Sequence, residues 1–262
     1  MRSSIYGSQV SGEPAPTSSN RLLCMGRRLR LFPLNSVLFP GAVLNLHIFE
    51  PRYKQMINEC LESGEGFGVA LIAEGAEAGD TNVLPHNVGS IAEILDVQPL
   101  PFGRYFISTV GRKRFRIREV ISREPYLIAE VDVIDEPEQK ADREVDELLP
   151  AVRERFEEYI AMLVEFSGQE STVALPDDPQ GTSYLIGDML QVAERVKQRL
   201  LEISDTKARL RAEFDFLERL LPQLRKLLEH RRVELREREE NGEDDSYRSA
   251  QEQYFGRFFS QN

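Results

Sequence analysis

Residues 31–53 read LFPLNSVLFPGAVLNLHIFEPRY. Leu29-Arg30-Leu31-Phe32 and Val43-Leu44-Asn45-Leu46-His47-Ile48-Phe49 alternate apolar residues with polar or small ones, the period of a half-buried strand. Phe39-Pro40-Gly41 between them is a turn: Pro fixes φ and Gly accepts a positive one. Pro51 then fits the first turn of a helix, where no N–H donor is missed. Tyr53, Met56, Ile57, Cys60 and Leu61 fall on one face of that helix, and Gly64 lies just past its end. The stretch predicts strand, turn, strand and short helix in that order.

Further along, Phe67–Ala73, Val88–Val97, Arg104–Val110, Phe115–Ile121 and Tyr126–Ile134 read as strands, with Pro99–Gly103 as a loop. Six or seven strands with one early helix predict a closed or nearly closed barrel, which removes exposed edges. From Glu136 the period changes. Val145, Leu148, Leu149, Val152, Phe156, Tyr159, Ile160, Leu163 and Phe166 recur at three and four residues, a long helix ending near Gly168. A loop over 171–183 leads to shorter helices near 183–192 and 194–202. Ser204 or Asp205 caps a last helix running toward residue 239. Ile203, Leu210, Phe214, Leu217, Leu221, Leu224, Leu228 and Leu235 form a heptad seam along it. The seam suits either packing within the chain or self-association through 203–235. Pro222 lies inside it, costs about 3 kcal/mol in a helix interior, and predicts a kink or a new helix start.

Acids outnumber bases 44 to 33. Residues 1–134 hold 14 of each sign, so the whole excess of 11 acids falls on residues 135–262. A neutral half followed by an acidic half predicts two modules, and the acidity disfavours general nucleic-acid binding. No apolar run approaches the roughly 20 residues of a membrane span. Two cysteines and three histidines supply neither a disulfide framework nor a metal site, so no metal and no cofactor is expected. The expected organisation is a flexible tail over 1–26, a β-barrel over 27–135, a helical bundle over 136–239 and an acidic, then aromatic tail over 240–262. Met25 is an alternative start. The aromatic run Tyr254–Phe259 suits a binding motif or docking on its own core. The absence of a leader and of disulfides predicts a cytoplasmic protein.

The ordered pattern P-L, F-P-G, an alternating strand and I-F-E-x-R-Y over Leu31–Tyr53 resembles the N-terminal domain of the Lon protease family. Val88–Ile94, Thr109–Phe115 and Leu200–Leu210 agree with it, so the resemblance covers about residues 29–235. Asn45 departs from it, where Pro is more usual. The resemblance implies an α+β chain: an N-terminal PUA-like β pseudo-barrel followed by a C-terminal α-helical bundle. It implies recognition of substrate polypeptide and a part in hexamer assembly. The sequence has no G-x-x-x-x-G-K-[ST] phosphate cradle and nothing like the protease segment with the nucleophilic serine. The chain is expected to be a stand-alone, non-catalytic module of this kind.

Individual residues fit that expectation. Glu50 and Arg52 flank the start of the helix and suit capping better than acid chemistry. His47 alternates with Leu46 and Ile48, and so faces away from the core. Cys60 reads as a small buried hydrophobe, and Asp177-Asp178 as the cap of a following turn. The expected polypeptide-binding residues are Phe32, Phe39, His47, Phe49, Arg52, Tyr53 and Phe102, because aromatics and Arg dominate such sites. The alternative is an RNA-binding PUA-like protein using Arg104, Arg112, Lys113, Arg114 and Arg116. The run Arg112–Arg118 otherwise reads as the solvated outer face of a strand.

Overall fold

The computed structural model describes residues 26–77, 79, 82–136, 142–168 and 173–241. Both expected tails, except Gly26 and the last two residues of the final helix, lie outside these. The order is β1 (Arg27–Leu34), β2 (Val43–Ile48), α1 (Pro51–Ser63), β3 (Phe67–Glu74), β4 (Leu84–Pro85), β5 (Val88–Leu100), β6 (Arg104–Ser122), β7 (Leu127–Ile134), α2 (Arg143–Ser167), α3 (Pro179–Met189), α4 (Glu194–Glu202) and α5 (Thr206–Asn241). It is a mixed α+β chain with a largely antiparallel sheet and five helices. The strands pair in the order β1-β7-β6-β5-β3-β4, and β1 also pairs in parallel with β3. The pairing therefore returns to its starting strand. β2 stands off this path, against the first half of β6.

Two expected strands, Arg104–Val110 and Phe115–Ile121, are one. Gly111 makes this possible: a Cβ there would meet the Phe39 carbonyl oxygen at 2.2 Å, so only Gly lets the strand pass so close. β6 then pairs with β5 along most of its length. The two-residue β4 was not legible as a strand. α1 begins as expected at Pro51, with Tyr53 and Lys54 N–H donating to the Glu50 carbonyl. The Glu50 side chain does not cap; it turns instead to Arg52 Nε at 2.9 Å.

α3 starts at Pro179, earlier than the expected 183, because Asp178 Oδ1 accepts from Gly181 N–H at 2.6 Å. Asp205 caps α5 through Ala208 N–H at 2.7 Å. α5 continues as one helix through Pro222, which corrects the alternative of a new helix start there. Pro222 sits on the exposed side, where water can reach the carbonyl it leaves without a donor. The seam residues Leu210, Leu217, Leu221 and Leu224 are buried with Val152, Phe156 and Tyr159 of α2, and Leu228 is buried as well. That part of the seam is consumed inside the chain.

A second core lies between α1 and the sheet, around Met56, Ile57, Phe67 and Ile107. The helical core reaches back into the sheet region through Val37, Phe39, Leu71 and Val88. No helix among the described residues is long and apolar enough to cross a membrane.

Candidate functional site

The outer face of β2 and the first half of β6, with the adjoining turns, carries several of the exposed apolar residues. β2 alternates: Val43, Asn45 and His47 are exposed, while Leu44, Leu46 and Ile48 turn toward the core around α1. Across the ladder His47 faces Phe106 and Asn45 faces Ser108. Val43 is 63% exposed, Phe49 52% and Phe106 38%. The His47 and Phe49 rings lie 5.8 Å apart. The hairpin from β5 to β6 turns through Pro101–Gly103, and Phe102 at its tip is 90% exposed with φ 65°. Positive φ is unusual for a side chain as large as Phe. Here Lys54 Nζ donates to the Phe102 carbonyl at 3.3 Å, which ties the tip to α1.

Of the seven residues expected to bind polypeptide, His47, Phe49 and Phe102 therefore stand exposed in this region. Three others are core, which corrects their assignment to a contact surface. Phe32 stacks on Tyr53 with ring centroids 3.9 Å apart, and both are buried. Burial pushes the Tyr53 phenol up to about 12. Phe39 is fully buried among helices; a Cβ on Gly187 would come within 2.7 Å of its ring. Arg52 is partly buried, paired with Glu50 and 4.6 Å above the Tyr53 ring. Val43 and Phe106 were missed. Val43 was legible as an outward strand position, but Phe106 joins it only through the β2–β6 register.

The cations expected for RNA do not form a free patch. Arg112 makes a two-point pair with Glu93, at 2.7 and 3.2 Å. Lys113 pairs with Asp135 at 2.8 Å. Arg114 is buried, which corrects the reading of Arg112–Arg118 as a wholly solvated face; Lys113 breaks the alternation and turns Arg114 inward. Arg114 donates to the Leu201 and Ile203 carbonyls and pairs with Glu136 at 2.5 Å. Arg104 donates to the Pro101 carbonyl at 3.1 Å, and Arg116 is exposed.

Around Arg114 lies a buried polar cluster that the sequence did not reveal. Glu136 accepts from Tyr184 and faces Arg209 at 3.6 Å. Arg209 Nε donates to Ser183 Oγ at 2.7 Å, and Ser183 donates to Glu213 at 2.9 Å. Burial holds the Glu213 carboxyl well above the usual range, against the opposing pull of Ser183 and Arg209. These groups join the sheet to α3, α4 and α5. Cys60 is a buried free thiol that burial pushes up to about 11, far from a thiolate nucleophile at neutral pH. Among the described residues no three His, Cys, Asp or Glu side chains come together as metal ligands.

The family model of the ATP-dependent protease La (LON) substrate-binding domain matches residues 28–219. The Lon protease of Flavobacterium johnsoniae is 30% identical over 186 residues, which is 69% of this chain and 22% of that protein. Lon protease 2 of Myxococcus xanthus is 27% identical over 193 residues, 73% of this chain and 23% of its own. The chain thus spans less than a quarter of the length of these relatives. The crystal structure of a Lon N-terminal domain protein from Xanthomonas campestris superposes with a TM-score of 0.54 at 26% identity, over 71% of this chain and 96% of that one. The N-terminal domain of the Mycobacterium avium complex Lon protease shares the fold, with a TM-score of 0.52 at 21% identity over 73% of this chain and 98% of its own.

Proposed function

Because the chain belongs to the ATP-dependent protease La (LON) substrate-binding domain family, we propose that it is a non-catalytic module that binds polypeptide, either unfolded segments or a protein partner. These 262 residues carry no G-x-x-x-x-G-K-[ST] phosphate cradle, and the reading places the module in the reducing cytoplasm. In this reading 27–135 is a PUA-like pseudo-barrel and 136–239 a helical bundle. The return of the strand pairing to β1 supports the first, and the burial of the α5 seam against α2 supports the second.

The observation that carries the function is the exposed apolar face of Val43, His47, Phe49 and Phe106, with Phe102 at the hairpin tip. Aromatic side chains held on rigid strands offer large contact area at small entropic cost. The buried residues behind them, Phe32, Tyr53 and Ile107, keep that face in place. The ion pairs of Arg112, Lys113 and Arg114 with acids favour polypeptide over RNA. A peptide array probed with the full chain tests the reading. Binding to apolar-rich peptides is expected, and Phe102→Ala with His47→Ala is expected to weaken it. An array unchanged by both substitutions removes this face from the account.

A further inference from the structure

β2 has a strand on one side only. Among the described residues it pairs with β6 and with no other strand. Gly111 N–H donates to the Ala42 carbonyl at 2.9 Å, which fixes the parity of the ladder. Hydrogen-bonded positions alternate in an antiparallel pair. Leu44, Leu46 and Ile48 therefore turn their backbone groups toward β6, and Val43, Asn45 and His47 turn theirs away. Among the described residues nothing hydrogen-bonds to those outward groups. Open edges are ordinarily blunted by charge, Pro or a bulge. Val43–Ile48 contains no Lys, Arg, Asp, Glu or Pro, and its register with β6 runs without a shift.

We propose that the open edge of β2 takes up an extended polypeptide segment as an added strand. The proposal deepens the polypeptide-binding reading and rests on it. Three outward residues at alternate positions present a row of N–H and C=O groups spaced about 7 Å apart. The complement of such a row is another extended backbone. An uncharged strand is complemented by an uncharged segment, since a charge placed there would lose water without gaining a partner. Val43 and His47 on β2 would lie beside every second side chain of the incoming strand, with Phe106 one strand further on, across His47, so the ligand carries apolar residues at alternate positions.

The test uses the full chain and a fluorescein-labelled nine-residue peptide alternating Val or Phe with Thr, with Lys at each end. A second peptide carries N-methyl groups on alternate amides of the pairing edge. Anisotropy is expected to show saturable binding of the first peptide, and a loss of about tenfold or more with the second. Asn45→Pro removes one outward N–H without touching the β6 ladder, and Val43→Lys places a charge on the edge. Each is expected to cause a similar loss, with the melting temperature checked for both. The N-methyl comparison stands even where a variant folds poorly. Equal binding of the two peptides overturns edge pairing. If Phe49→Ala and Phe102→Ala still weaken binding of an unfolded polypeptide, the broader reading survives that failure. Absence of binding to any unfolded polypeptide overturns both. A concentration-dependent dimer dissolved by Asn45→Pro assigns the edge to a second copy and also overturns the proposal.

Discussion

Phe39 and Phe102 follow the same kind of sequence signal, an aromatic beside Pro and Gly in a turn, and end in opposite places. Phe39 is fully buried between Gly111 and Gly187, and Phe102 is 90% exposed. Phe39→Ala is expected to cost about 3–5 kcal/mol in urea unfolding, and Phe102→Ala less than about 0.5 kcal/mol. Local sequence could not separate the two, because the groups that bury Phe39 come from β6 and α3. Glu213 was equally hidden, a carboxyl among the helical core. Its folded-state pKa is raised, so the folded chain keeps a proton that the unfolded chain gives up above the ordinary carboxylate range. Its favourable contribution is therefore complete below that range and is lost as pH rises toward the folded-state value. Glu213→Gln is expected to raise the melting temperature at pH 8 and to leave it nearly unchanged near pH 4. An equal shift at both values would mean the carboxyl is ionised in the fold.

Among elements, β6 and α5 carry most of the architecture. β6 pairs with β2, β5 and β7, and Arg114 within it caps two carbonyls at the end of α4. Arg114→Ala removes those bonds and leaves Glu136 with one fewer cation, so a loss of about 3–5 kcal/mol is expected. Asp205→Ala removes the cap of α5 and is expected to cost about 1 kcal/mol. Chemical denaturation followed by circular dichroism measures both. The periodicities of α1, α2 and α5 were legible because each buries one face over several turns. The continuity of β6 and the continuation of α5 past Pro222 were not. They depend on a close approach to Phe39 and on which side of the helix meets water.

At the scale of the molecule, sheet and helices are joined by directed polar bonds as well as by apolar packing. Gln198 of α4 donates to the Val88 carbonyl at 2.9 Å, and Glu194 accepts from Val37 N–H at 2.7 Å. The change of charge near residue 135 suggested two modules, but these ties between sheet and helices were out of reach of composition. They predict a single unfolding transition, coincident by aromatic and backbone signals. Such a joint would let the helical part hold the sheet in place for the proposed contact with another chain.

The most direct measurement is an anisotropy titration of a labelled, permanently unfolded polypeptide with the full chain and with its Phe49→Ala, Phe102→Ala double variant. The account predicts saturable binding to the parent and a loss of about tenfold in the variant, at an unchanged melting temperature. Equal affinities, or no binding by the parent, would contradict it.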